Sequence, residues 1–202
     1  MNDIDPSYYK GMELIFQGRF EEAEPLLLEA LKTDQDNAEL LCDLGLIYEN
    51  LSRWDAAETT FRTATEKAPD SLQAWIKYGR VLDRQKKHND AEAAYKKALD
   101  LDPENSFVWL DLGYCFYKQK MFPEAEQAYM KAQRLYPEDI NTYFLLAQTQ
   151  FEQEHYDEAE KNIRKVVSEE PDFKEGWCLL GDILEKLGRI DESKDARSKG
   201  AD

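Results

Sequence analysis

Long apolar runs are missing from this sequence. No uncharged stretch approaches the ~20 residues needed to cross a bilayer, so no membrane insertion is expected. Glycine and proline are scarce, at 9 and 7 residues in 202, which excludes collagen-like and Gly/Pro-rich disordered chains. Cysteine is scarcer still. Cys42, Cys115 and Cys178 are odd in number and widely spaced, so they make no disulfide framework. No CxxC or Cys/His cluster has zinc spacing, and the three read as packing or lining residues. The N-terminal residues lack the basic and apolar regions of a secretory signal or transit peptide, and the chain reads as cytoplasmic.

Positive charge is also in deficit. There are 42 Asp plus Glu against 26 Lys plus Arg, a net charge of −16, which repels nucleic acid and anionic lipid at long range. The excess is uneven: residues 4–37 carry −5, 38–71 carry −4, 140–173 carry −5, and 72–105 carry +1. Nothing points to catalysis or to a cofactor. GxGxxG, GxxxxGK[ST], HExxH and GxSxG are all missing, and acidic pairs such as Glu21-Glu22 and Glu169-Glu170 read as solvated faces. Both histidines, His88 and His155, fall at turns and have no catalytic partner at motif spacing. The chain is expected to be no enzyme, with no metal and no cofactor.

What is present is a period. Glycine recurs every 34 residues at Gly11, Gly45, Gly79, Gly113 and Gly181, with Ala147 in the remaining slot. Alanine follows the same step at Ala23, Ala57, Ala91, Ala125 and Ala159, with Ser193 last, and proline at Pro69, Pro103, Pro137 and Pro171. A large aromatic precedes the glycine slot at Trp75, Trp109, Tyr143 and Trp177. The register cuts the chain, without insertion, into 4–37, 38–71, 72–105, 106–139, 140–173 and 174–202.

Each unit reads as two helices. Trp109, Leu112, Gly113 and Phe116 share one helical face, and Ala125, Tyr129 and Ala132 make a second stripe. Asp55, Asn89 and Asp157, each three residues before a glutamate, have capping-box spacing for the second helix. Asp70-Ser71, Glu104-Asn105 and Glu138-Asp139 are placed to cap the next first helix. Small residues at the Gly and Ala slots let the two helices approach closely.

This pattern, W-x2-L-G-x2-Y…A-x3-F…P over 34 residues, resembles the tetratricopeptide repeat (TPR). Trp75, Tyr78, Gly79, Leu82, Ala91, Tyr95, Ala98 and Pro103 show it in the third repeat, and Trp109 through Pro137 in the fourth. The resemblance covers nearly the whole of 1–202 as a single array. It implies an all-α fold, a right-handed superhelix of about six helical hairpins with a concave groove. The end repeats depart from it: Ser7 and Lys10 in the first, and Ser193, Arg197 and Gly200 in the last, where a polar, degenerate cap is expected.

In TPR proteins the first helix of each hairpin lines the groove. The inward slots carried onto this chain hold Ile76, Arg80 and Arg84, then Phe107, Leu110, Tyr114, Tyr117 and Lys118, then Phe144, Gln148 and Phe151. The aromatics suit a partner-anchoring surface. Lys77, Arg80 and Arg84 form a basic stripe suited to gripping a carboxylate. The resemblance implies a non-enzymatic scaffold or adaptor holding a peptide or helical segment of a protein partner. TPR co-chaperones that grip the acidic tail of heat-shock chaperones need a Lys–Asn pair, but the corresponding slots hold Tyr8/Met12, Cys42/Leu46, Ile76/Arg80, Leu110/Tyr114, Phe144/Gln148 and Cys178/Asp182. That role is not expected. The alternative is a structural protein that self-assembles into homo-oligomers through Tyr8, Tyr9, Met12, Ile15 and Phe16.

Overall fold

The computed structural model describes residues 6–201. They form twelve helices and no strand: α1 (Pro6–Phe16), α2 (Phe20–Thr33), α3 (Ala38–Asn50), α4 (Trp54–Lys67), α5 (Leu72–Arg84), α6 (His88–Leu101), α7 (Ser106–Lys118), α8 (Phe122–Leu135), α9 (Ile140–Glu152), α10 (Tyr156–Glu169), α11 (Lys174–Lys186) and α12 (Ile190–Ala201). Successive helices pair as antiparallel hairpins, so the all-α expectation holds.

The helix starts have two chemistries. Four first helices, α3, α5, α7 and α9, are capped by side chains: Asn37, Ser71, Asn105 and Asp139 accept hydrogen bonds from the backbone N–H groups of Leu40, Ala74, Val108 and Thr142. Helix α11, with Phe173 at its N-cap, has no such bond. Second helices are not capped this way either. Their N-cap residues, Arg53, Lys87 and His155, make no side-chain cap bond, and Asp55, Asn89 and Asp157 lie inside the first turn. The capping-box expectation is therefore corrected. The acids there complement the positive end of the helix dipole instead.

The chain divides into two compact units, one reaching to Pro103 and the other starting at Glu104. Within the first, α1 to α6 pack in sequence, and the first helices α3 and α5 also touch. Within the second, α7 to α12 do the same, with α9 against α11. The glycine slots explain the close hairpins: a Cβ on Gly45 would meet the Phe61 ring, and one on Gly79 the Tyr95 ring, both under 3 Å. Consecutive second helices are clamped by ion pairs 29 residues apart. Arg53 binds Glu24 at 2.8 Å and Lys87 binds Glu58 at 2.6 Å in the first unit, and Arg189 binds Glu160 at 2.7 Å in the second. The repeat aromatics also tie down the turns, since the indoles of Trp75 and Trp177 donate to the carbonyls of Pro69 and Pro171.

The last hairpin is better fitted than its consensus mismatches suggest. Ser193 is buried, and its hydroxyl donates to the Gly181 carbonyl at 2.7 Å. Arg197 pairs with Asp182 and Glu185, and Gly200 sits against Cys178 and the Lys174 carbonyl with no room for a Cβ.

Candidate functional site

In the second unit, α7 carries the exposed part of the aromatic surface. Phe107 is 61% exposed, its ring tilted toward Tyr136 at 6.5 Å, and Tyr114 is 40% exposed beneath the Lys118 ammonium, 4.7 Å from its ring. Both sit on the α7 face that does not pack on α8, because the opposite face buries Val108, Leu112, Cys115 and Phe116. The other aromatics of the set are half-buried and take ring partners. Tyr117 meets Phe122 edge-on at 5.5 Å, Phe144 meets Phe173 at 4.9 Å, and Phe151 meets Tyr156 at 5.6 Å. Leu110 and Gln148 are half-buried as well. Burial, with the Glu152 carboxylate of α9 nearby, raises the Tyr117 phenol above its ordinary value.

In the first unit, the basic stripe on α5 is partly spoken for. The Arg84 guanidinium lies 3.5 Å from Glu49 on α3 and 5.6 Å from the Trp54 ring centre, so an incoming carboxylate must compete with Glu49. Arg80 is exposed and Ile76 half-buried. Beside them lies an open recess of about 520 Å³ lined by Glu39, Cys42, Asp43, Leu46, Gln73 and Lys77. Asp43 was not among the groove slots read from the sequence. It is held by the Tyr8 hydroxyl, which donates at 2.9 Å, and its only sequence signal is that it follows Cys42 on the same helix. Burial raises the Asp43 carboxyl above the usual range and pushes the Cys42 thiol up to about 11, away from the thiolate form.

One histidine has a partner that sequence spacing did not reveal. His88 Nδ1 lies 2.7 Å from Asp83 Oδ1 across the α5–α6 turn. The pair bridges the end of one helix and the start of the next, so a carboxylate five residues upstream is brought back by the turn. In the second unit, Glu126 gathers Gln150 and Gln153 at 2.8 Å each, and the buried Gln150 in turn accepts from Asn162, which links α8, α9 and α10 through polar groups. The His88–Asp83 contact lies within one hairpin, and the Glu126 contacts join two neighbouring hairpins.

A family model described as the cytochrome c-type biogenesis protein H TPR domain matches residues 59–168, and two tetratricopeptide repeat models match residues 14–77 and 144–195. No curated protein matches the chain by sequence. Solved structures do resemble it. A tetratricopeptide repeat protein from Parabacteroides merdae superposes with a TM-score of 0.83 at 18% identity, covering 96% of this chain and 79% of that one. PilW, described as a widely conserved type IV pilus biogenesis factor, gives 0.81 at 24% identity, covering 96% and 90%. YrrB, described as a TPR protein with an unusual peptide-binding site, gives 0.75 at 17% identity, covering 86% and 90%. At these identities the likeness is one of fold.

Proposed function

The chain belongs to the tetratricopeptide repeat family, and from that premise we propose that it is a non-enzymatic interaction module that holds an extended or helical segment of a partner protein. The observation that carries this reading is the pair Phe107 and Tyr114, large aromatics left substantially in water on the first-helix side of the second unit. Exposed aromatics of this kind serve as interface anchors because they bury large area at low conformational cost. Leu110, Tyr117, Phe144 and Phe151, each half-buried, extend the apolar lining of that unit, and Lys118 and Gln148 add polar contacts. The peptide-binding site named for YrrB supports a peptide as ligand.

The 34-residue register continues through Pro103–Glu104 without insertion, which supports one array of six repeats over 1–202. The net charge of −16 argues against nucleic acid as partner. The three unpaired cysteines fit the cytoplasm, where thiols stay reduced. Selecting displayed peptides on the full chain tests the reading. Binding of the selected peptides should fall at least about tenfold, or 1.4 kcal/mol, in the variant F107S/Y114S, with helical circular dichroism unchanged. Undiminished binding to that variant overturns it.

A second reading rests on α1, where Phe16 is 86% and Tyr9 60% exposed. Such rings suit a contact with another copy in a homo-oligomer, against the electrostatic repulsion of an acidic chain. Light scattering at high protein concentration and high salt decides it: a strict monomer rules it out.

A further inference from the structure

A second recess lies on a different face of the second unit. Residues of α8, the turn after it and the first turn of α9 line an open recess of about 610 Å³, a size that accommodates several side chains. Its apolar lining is Met130, 53% exposed, with Pro137 and Tyr143, and its polar lining includes Lys131 and Arg134. A third cation stands at the rim. Lys165 of α10 holds its ammonium 3.9 Å from the Tyr143 ring centre and 3.4 Å from the Pro137 carbonyl.

The charges here are unlike those of the corresponding helix elsewhere. Repeats 2, 3 and 5 place Arg62, Lys96 and Arg164 in the slot of Met130, and Glu66, Asp100 and Ser168 in the slot of Arg134. The fourth repeat thus has an apolar residue where those have a cation, and a cation where those have an acid or serine. The first repeat shares the apolar–basic pair as Leu28 and Lys32, but its Glu29 neutralises Lys32 at 2.6 Å, and Lys131 occupies the slot of Glu29. No acidic residue lies between Glu126 and Glu138. Among the described residues neither Lys131 nor Arg134 has an ion-pair or hydrogen-bond partner for its side chain, as is true of Arg62 and Lys161, whereas Lys32, Lys67, Lys96, Lys97 and Arg164 on other second helices are each paired with a carboxylate.

We propose that this recess binds a short acidic segment of a partner protein, a carboxylate lying between Lys131 and Arg134 with an adjacent apolar side chain on Met130 and Tyr143. Unsatisfied cations beside apolar surface are complementary to that chemistry. Arginine supplies two parallel donors for a carboxylate, and Met130 and Tyr143 offer apolar contact beside it. The segment must be short. The following stretch 140–173 carries −5, so an extended polyanion such as nucleic acid or an anionic bilayer is repelled by the flank while a single acidic turn is not.

The test uses the full chain and a fluorescein-labelled peptide of alternating glutamate and leucine, read by anisotropy at low salt. Binding is expected, with loss on raising the salt and on replacing each glutamate by glutamine. The charge reversal K131E/R134E is expected to weaken it at least about tenfold with the melting temperature unchanged, and Met130→Ser to weaken it without altering its salt dependence. F107S/Y114S leaves it intact, which separates this site from the first-helix face. Failure of the peptide to bind, binding that survives the charge reversal, or loss in F107S/Y114S overturns the proposal. So does equal competition by single-stranded DNA or phosphatidylserine vesicles, which would show a site reading negative charge alone.

Discussion

The buried ring of Tyr129 lies against Gly113 so closely that a Cβ on the glycine would stand 2.6 Å from two ring carbons. The fifth repeat shows the complementary solution: Ala147 fills the glycine slot, and Ile163 replaces the aromatic of the facing helix, both fully buried. The glycine and the aromatic are therefore one packing unit. Gly113→Ala is expected to destabilise by about 1–3 kcal/mol through overpacking, despite the better helix propensity of alanine. In a Tyr129→Ile background the same substitution should cost less. A double-mutant cycle by urea denaturation measures the coupling, and additive effects would contradict it.

The turn within each hairpin needs a left-handed residue. Gly18 and Gly188 supply it at the ends, but Ser52, Lys86, Lys120 and Glu154 adopt φ of 57–63° in the middle repeats. A side chain in that region costs roughly 1–2 kcal/mol, offset in part by the unfolded-state freedom of glycine. Lys86→Gly and Glu154→Gly should each raise stability by about 0.5–1 kcal/mol, seen as a higher melting temperature. A lower one would refute the assignment of strain.

Asp43 links stability to pH. Its burial raises the folded-state pKa above the unfolded one, opposed by the Tyr8 hydrogen bond and by Lys77. Such a group contributes stability that is full below the ordinary carboxylate value, about 4, and is lost as pH rises through the folded value. Asp43→Asn stays neutral and keeps an oxygen to accept from Tyr8. Its stability relative to the parent should increase as pH rises from mildly acid to neutral, tracked by urea midpoints. A constant difference across that range would show that the Asp43 charge is not the cause.

Protection against hydrogen exchange should be graded along the chain. Helix α12 buries only Ser193 and Ala196, while α8 buries Ala125, Ala128, Tyr129 and Ala132, and α6 buries five residues. Exchange is expected to be fastest in α12 and slowest within 72–139. Uniform protection, or fastest exchange in 72–139, would contradict this.

The all-α helical repeat and the first-helix caps at Ser71, Asn105 and Asp139 were legible from residue order alone. Each depends on local chemistry repeated at a constant step: a small residue where helices touch, a proline after a helix, a short polar side chain before one. The TPR resemblance put Phe107 and Tyr114 among the groove slots, and both are exposed on the side of α7 away from its packing residues. What residue order left open depends on partners far along the chain or around a turn. Packing of neighbouring hairpins brought Glu49 to Arg84 and Tyr8 to Asp43, and the α5–α6 turn brought Asp83 to His88. Ser193 and Gly200 read as lost packing, yet one satisfies a buried carbonyl and the other fits a close contact. Periodicity determines which face of a helix is apolar. Which charge meets which, and which cation is left unpaired, is set by the distances between hairpins after they stack.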